Sequence, residues 1–407
     1  MLRRVVITGI GAYSSIGKNV EEVADSLYHG RSGIGLDPER KAMGYRSSLT
    51  GILALPDIRG FVDRRQRHSL PEQGYYACMA AQEAFAMSGI DADFIKDHVV
   101  GVIMGGDSSA APIINGIDGI REKGTTLLVG SGSVFQSMTS TVSMNLSVIF
   151  KLKGINFSIA GACASGSHAI GIGYTLIQSG LQDCILCGGA QEVNKYSVAS
   201  FDGISTFSIR EEAPHKASRP FDRDRDGLVP SGGAAALVLE SYDEAVRRGA
   251  TILAEVVGYG FSSCADHISI PNVNGPQSAM QMAIERAGLQ LEDIDYINAH
   301  ATSTSVGDTN EAKAISALWG EKTPLVSSTK SMTGHELWMS GASEVVYSIL
   351  MMRRGFVAKN LNFENPDDYS AKLNIVAETK EIPINTVLSN SFGFGGTNSS
   401  LIIKTFN

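Results

Sequence analysis

An α/β fold is what this chain predicts, and three observations carry the prediction. Apolar strands alternate with helices through the first 250 residues, which implies a largely parallel sheet. One such strand, from Ile155, turns through Gly161-Ala-Cys163 straight into a helix of small residues. A strand-exit motif near the N-terminus, Ile7-Thr-Gly9-Ile-Gly11, is echoed by Val256-Val-Gly258-Tyr-Gly260, which suggests an internal repeat. With 407 residues, 43% hydrophobic and 19% charged, there is core material for two or three domains on a prior of ~150 residues each. Halves spanning 1–250 and 251–407 are expected.

In chain order, residues 4–11 read as a strand entering a tight turn. The helix that follows places Val20, Val23, Ala24 and Leu27 on one face, with Asn19 and Glu22 as its capping pair. Gly9 and Gly11 invite a dinucleotide reading, but Ser14 stands where the third glycine of that fingerprint belongs. Val99 to Met104 and Gln182 to Ala190 are further buried strands. Cys184 and Cys187 lie on the second, where a spacing of three puts them on opposite faces, so neither a redox pair nor a zinc site is expected.

Asp222-Arg-Asp224-Arg-Asp226-Gly227 imitates the start of an EF-hand loop, yet Gly233 occupies its twelfth position instead of a bidentate carboxylate. A turn of locally paired charges is expected there. A helix runs from Pro276, at its first position, to a Gly288 stop, with Ala279, Met280, Ala283, Ile284 and Ala287 on one face. Strand Tyr296 to Asn298 then delivers His300.

Composition excludes several function classes. The net charge of −8 argues against nucleic acid. Five cysteines, an odd number, argue for a reducing compartment and against a disulfide framework, so a cytoplasmic location is expected. The apolar run after Arg3 and Arg4 is too short for a secretory signal, and none reaches the ~20 residues of a membrane helix.

The chemistry centres on Cys163. A lone cysteine is more often structural, but this one opens a helix whose unpaired N–H groups favour an anion. Its thiol, ordinarily of pKa ~8.5, is therefore expected to ionise more easily. Three glycines in the helix, at 166, 171 and 173, cost ~1 kcal/mol each against alanine, which points to close packing between two sheets. His300, in Asn298-Ala-His300-Ala-Thr302-Ser-Thr304, and His335, after Lys330-Ser-Met-Thr-Gly334, sit in small-residue loops that leave room for a ligand. Residues 389–398, Ser-Asn-Ser-Phe-Gly-Phe-Gly-Gly-Thr-Asn, form a glycine-rich loop able to lend N–H groups to an oxyanion.

Together these stretches, with Arg219-Pro-Phe-Asp222 and Glu344, resemble the β-ketoacyl-ACP synthases of the thiolase superfamily over essentially the whole chain. The resemblance implies a thiolase-like duplicated five-layer α/β/α/β/α fold and a homodimer whose partner is acyl carrier protein, with no cofactor. It implies acyl transfer to Cys163 and an oxyanion hole from the backbone of Cys163 and Phe394. His300 and His335 would act on malonyl carrier protein, with Lys330 and Glu344 as an ion pair orienting His335. Thr302, Thr304 and Phe392 would bind substrate, and Asn298, Glu344, Ser389 and Asn390 match a monovalent-cation site.

Fatty-acid elongation is the expected role, and a ketosynthase of a polyketide or polyene pathway is the alternative. The basic run Arg64, Arg65 and Arg67, just before a helix, is the expected carrier-protein dock, with Arg121 and Lys123 next. Met138 matches a segment that lines the acyl tunnel, and Gly106, Asp107 and Ser108 match a nearby position that sets its depth, where small residues imply medium to long primers. Two departures from the family pattern stand out: Ala301 replaces the usual glycine after the first histidine. After the second, Leu337-Trp338-Met339-Ser340-Gly341 replaces Leu-Gly-Ala-Ala-Gly.

Overall fold

The structure, a computed structural model, describes residues 2–406. Its main sheet has eleven strands. They are β1 (Val5–Ser14), β2 (Val100–Gly105), β3 (Asn156–Ile159), β4 (Cys184–Gln191), β5 (Gly233–Ser241) and β6 (Ala254–Ser263). The remainder are β7 (Tyr296–Asn298), β8 (Leu325–Ser327), β9 (Asn374–Ile375), β10 (Thr386–Phe392) and β11 (Thr397–Lys404). Their order is β9-β8-β7-β10-β11-β6-β1-β5-β4-β2-β3.

The sheet is mixed, which corrects the expectation of a largely parallel one. Parallel pairs occupy only the two flanks, β4-β2-β3 and β10-β7-β8-β9. The strands between them, β4-β5-β1-β6-β11-β10, pair antiparallel throughout. The reason is partly visible in the loops: β10 and β11 are joined through Gly393 to Gly396 alone, and so short a connection can only make a hairpin.

The order is close to a mirror image about the β1–β6 seam, where Val5 to Ile7 pair with Ala254 to Val256. The echoed glycines show why the two sides share a motif. A Cβ on Gly9 or Gly11 would lie 2.0 Å from the carbonyl oxygens of Ala84 or Ala80 in helix Glu72–Ser88. A Cβ on Gly258 or Gly260 would lie 2.4 or 2.0 Å from those of Ala283 or Ala279 in helix Asn274–Ala287. In both halves, bare glycines let an outer helix settle onto the strand.

Helices Ser165–Gln178 and Ser340–Arg354 form the middle layer, packed on both sides by sheet, so the layers run α/β/α/β/α. Their glycines serve close approach as expected: a Cβ on Gly166 would lie 3.0 Å from Ala342 N, one on Gly171 2.3 Å from the Tyr259 ring, and one on Gly173 2.3 Å from Cys187 Sγ. Cys184 and Cys187 fall in different apolar clusters, on opposite faces of β4. All five cysteines are free and buried.

Smaller expectations shift slightly. Helix Asn274–Ala287 starts two residues before Pro276, which still lies among the first-turn positions whose N–H groups have no helical partner. Asp222 is buried and accepts from Arg219 Nε at 2.9 Å and from the backbone of Asp224, Glu364 and Asn365, while Arg225 reaches Asp367 at 2.7 Å. The acidic turn is thus held by internal charge pairs. Among the described residues no helix is long and apolar enough to cross a membrane.

Candidate active site

Strand β3 ends at Ile159, and the middle-layer helix begins at Ser165, so the chain turns within a handful of residues. Ala162 pays for that turn with φ +45°, in a region unfavourable to any side chain with a Cβ. Ser303, beside the His300 loop, has φ +70°, and Leu337, beside His335, has φ +47°. Strain of this kind clusters at functional sites. Here it flanks all three candidate residues. Asp107 Oδ2 accepts the Ala162 N–H at 3.1 Å, and Ser165 Oγ accepts that of Gly161 at 2.9 Å, which hold the turn.

Cys163 sits at the turn, 6% exposed. Burial pushes its thiol up to about 12, against the pull of the Lys330 charge and the N–H groups of Phe394 and Cys163 itself. The expected easy ionisation is therefore corrected: Cys163 stands two residues before the helix, and desolvation outweighs the dipole.

His335 Nε2 lies 3.1 Å from Cys163 Sγ, and its Nδ1 lies 3.2 Å from Ser340 Oγ. The His300 ring stands nearly perpendicular to that of His335, with centroids 5.3 Å apart, and its Nδ1 has no partner among the described residues. Burial, reinforced by the Lys330 charge, holds both imidazoles well below their usual value, so both are neutral. Ligand-type atoms of Cys163, His300 and His335 come within 4.8 Å of one another. A metal there would need a thiolate, which burial opposes.

Lys330 and Glu344, both 1% exposed, form a buried ion pair. Neither is a hydrogen-bond partner of the His335 ring, whose contacts are Ser340 and Cys163, so Lys330 acts on both histidines through its charge. The loop between β10 and β11 brings the Phe394 N–H to the thiol. Gly393 permits this, since a Cβ there would lie 3.1 Å from both Cys163 N and Gly161 O.

A cavity of about 390 Å³ opens onto these groups, lined by Cys163, His300, His335, Thr302, Thr304 and Phe392 among others. The Thr302 and Thr304 hydroxyls are 3.1 Å apart. Met138, 41% exposed, and Ser108 do not line it. Arg64 and Arg65 are exposed on a short helix of their own, Arg64–His68, whereas Arg67 is half-buried and donates to Val62 O at 2.5 Å.

Of the four cation-site residues, Asn298 and Ser389 are register partners on neighbouring strands, and Asn298 Nδ2 donates to Glu344 O at 3.4 Å. Glu344 Oε2 is buried without a hydrogen-bond partner among the described residues. The Asn390 amide is committed elsewhere, to Glu311 at 3.0 Å and Ser400 at 2.8 Å.

Glu311 escaped the sequence reading, as did the roles of Asp107 and Ser340 in holding the site. Glu311 accepts the N–H groups of His300 at 3.0 Å and Ala301 at 2.7 Å, fixing the first histidine's loop. Asp107 steadies the Cys163 turn, and Ser340 meets the His335 ring. Asp107 acts on a turn 55 residues away, and Glu311 and Ser340 act on nearer residues through loop geometry that no residue pattern encodes.

Comparison with known proteins follows this geometry. Residues 2–245 match the beta-ketoacyl synthase N-terminal domain, and residues 253–364 match the C-terminal domain. The chain belongs to the beta-ketoacyl synthase family. As a beta-ketoacyl synthase it is a condensing acyltransferase with a thiolase-like fold. It is 41% identical over 409 residues to 3-oxoacyl-[acyl-carrier-protein] synthase 1 of Haemophilus influenzae, with 100% of both chains covered. A beta-ketoacyl synthase crystal structure from Burkholderia phymatum STM815 superposes with a TM-score of 0.94 at 38% identity, over 100% of both chains. A type II PKS acyl-carrier protein complex with its ketosynthase gives 0.90 at 28% identity, again over 100% of both chains.

Proposed function

We propose that this beta-ketoacyl synthase elongates fatty acyl chains by decarboxylative condensation, with Cys163 carrying the growing acyl group. The convergence of Cys163, His300 and His335 within 4.8 Å inside one cavity carries this reading. In the first half-reaction Sγ attacks the acyl thioester, and the thiol proton passes to the leaving carrier thiol, while His335 Nε2, 3.1 Å from Sγ, keeps its N–H. The tetrahedral oxyanion meets the N–H groups of Cys163 and Phe394, donors of a kind each worth ~3–4 kcal/mol in comparable sites. In the second, malonyl carrier protein loses CO₂, and the electron pair of the broken bond becomes an enolate. Two neutral imidazoles, His300 and His335, suit that oxygen as N–H donors. The carbanion carbon then attacks the acyl-Cys163 carbonyl, and Cys163 leaves as a thiolate that takes up a proton from solvent.

Identity favours this role over a polyketide or polyene ketosynthase: 41% to a 3-oxoacyl synthase against 28% to the type II PKS ketosynthase. The carrier protein, acidic in such systems, would dock at Arg64 and Arg65, which are exposed and free of ion pairs among the described residues; Arg67, tied to its own helix start, contributes less. A homodimer is supported by exposed apolar side chains along one segment: Ile113, Ile117, Leu127, Leu128, Phe135 and Met138. The structural division at the β1–β6 seam supports halves of 1–250 and 251–407, and the buried free cysteines suit the cytoplasm. Intact-mass measurement after incubation with acyl carrier protein tests the assignment. Wild type should gain one acyl group and Cys163→Ala none; acylation of the variant would remove Cys163 from its role.

A further inference from the structure

His168 stands in the first turn of the middle-layer helix Ser165–Gln178, just beyond Cys163, and its own N–H donates to Ala164 O at 2.9 Å. Both of its ring nitrogens are engaged across the fold. Nδ1 lies 2.7 Å from the Tyr259 hydroxyl on β6, and Nε2 lies 2.9 Å from Thr397 Oγ1 at the start of β11. Burial lowers the imidazole pKa to about 4, so the ring is neutral and offers one N–H donor and one acceptor. A hydroxyl can play either part, so a single tautomer satisfies both contacts.

Thr397 closes the β10–β11 loop. Its carbonyl oxygen accepts the Gly393 N–H at 2.7 Å, which places the next N–H in the chain, that of Phe394, at the Cys163 thiol. The tip of the loop is tied to another segment, with Gly396 O accepting from Cys264 N at 2.9 Å and Gly395 N donating to Ile268 O at 2.6 Å. Those bonds do not set the distance from the loop to the helix that follows Cys163. Among the described residues, two side-chain hydrogen bonds join that helix to β11: Ser167 Oγ with Ser399 Oγ at 2.7 Å, and His168 with Thr397. Only the second reaches the residue that closes the loop. One imidazole thus joins the turn carrying the Cys163 N–H to the loop carrying the Phe394 N–H.

We propose that His168 is a positioning residue for the oxyanion hole: braced by Tyr259, it holds Thr397, and through Thr397 the Phe394 N–H, in register with Cys163. The proposal rests on the reading of Cys163 as the acyl carrier. A donor fixed before the substrate arrives needs no reorganisation as charge develops, and removing one such donor outright slows comparable enzymes about 100- to 1,000-fold. Loosening it should slow acyl transfer less than that, by about tenfold or more.

The test compares two reactions of the same sulfur in the full chain, each followed by mass at Cys163. Transfer from hexanoyl carrier protein passes through a tetrahedral oxyanion, whereas alkylation by iodoacetamide displaces iodide at a saturated carbon and forms none. His168→Ala should slow acyl transfer about tenfold or more and leave alkylation within about threefold. Thr397→Val keeps the side-chain shape and loses the hydroxyl; it should do the same, and it carries the test should the alanine variant not fold. His168→Gln, whose amide offers both a donor and an acceptor, should recover most of the lost rate. Alkylation slowed in parallel with acyl transfer, acyl transfer within about twofold of wild type in both His168→Ala and Thr397→Val, or a His168→Gln rate no better than that of alanine would overturn the positioning role. Failure of wild type to acylate at Cys163 would instead overturn the assignment on which the proposal stands.

Discussion

Cys163 is a buried neutral thiol next to a neutral imidazole, and that pairing sets how the site responds to pH. With burial holding the thiol up at about 12, the rate of Cys163 alkylation by iodoacetamide should keep climbing well above pH ~8.5, where an ordinary thiol levels off. A plateau at or below that pH would contradict the desolvated site. The histidines carry the opposite consequence. Their pKa values lie well below the usual ~6.5, so malonyl decarboxylation by Cys163→Gln should persist as pH falls through 6.5 instead of dropping by half there. A small-residue turn alone left each histidine more plausibly structural, and Cys163, His300 and His335 became legible as a set through the family resemblance of their motifs. Glu311 was not, since a carboxylate inside helix Ser305–Trp319 has no signature until the fold brings His300 and Ala301 onto it.

Elements reach the site through close approach. The middle-layer helix accepts three glycines because Ala342, Tyr259 and Cys187 press on it, so Gly171→Ala, whose Cβ would meet the Tyr259 ring at 2.3 Å, should destabilise by ~1–3 kcal/mol in denaturant unfolding. A neutral result would mean that the ring can move aside. Helix Ser340–Arg354 offers a second test through Glu336, buried and bonded by Ser343 and by Tyr347 at 2.8 Å. Burial raises the Glu336 pKa to about 7, against ~4.3 in an unfolded chain. The folded state resists its ionisation, so the stability it contributes is full below ~4.3 and is lost as pH rises towards 7. Glu336→Gln does not titrate, and its Tm relative to wild type should therefore rise between pH 5 and pH 8; a constant difference would refute the shift. Element type was largely readable from strand and helix patterning. Sheet direction was not, because alternation of strands and helices predicts parallel pairs, while the β10–β11 hairpin and the β1–β6 seam arise from connections that periodicity does not encode.

Across the whole molecule, two similar halves meet at one seam and enclose a middle layer that ends in the candidate site. The repeat was legible from two glycine pairs, Gly9 with Gly11 and Gly258 with Gly260, because their role is to admit an outer helix. The exposed apolar run is the part of the surface that this account assigns to a second copy of the chain. Leu127, 90% exposed, replaced by Asp together with Phe135→Asp should shift sedimentation from dimer to monomer, and an unchanged dimer would place the interface elsewhere. Charge steering makes a further prediction: Arg64→Glu with Arg65→Glu should raise KM for carrier-bound substrate and flatten its salt dependence, with kcat little changed. The central claim is that one cavity separates acyl transfer, on Cys163, from decarboxylation, on His300 and His335. Release of CO₂ from malonyl carrier protein by Cys163→Gln tests it most directly. The account predicts CO₂ without condensation product, and loss of that CO₂ when either His300→Ala or His335→Ala is added; undiminished decarboxylation in both double variants would contradict it.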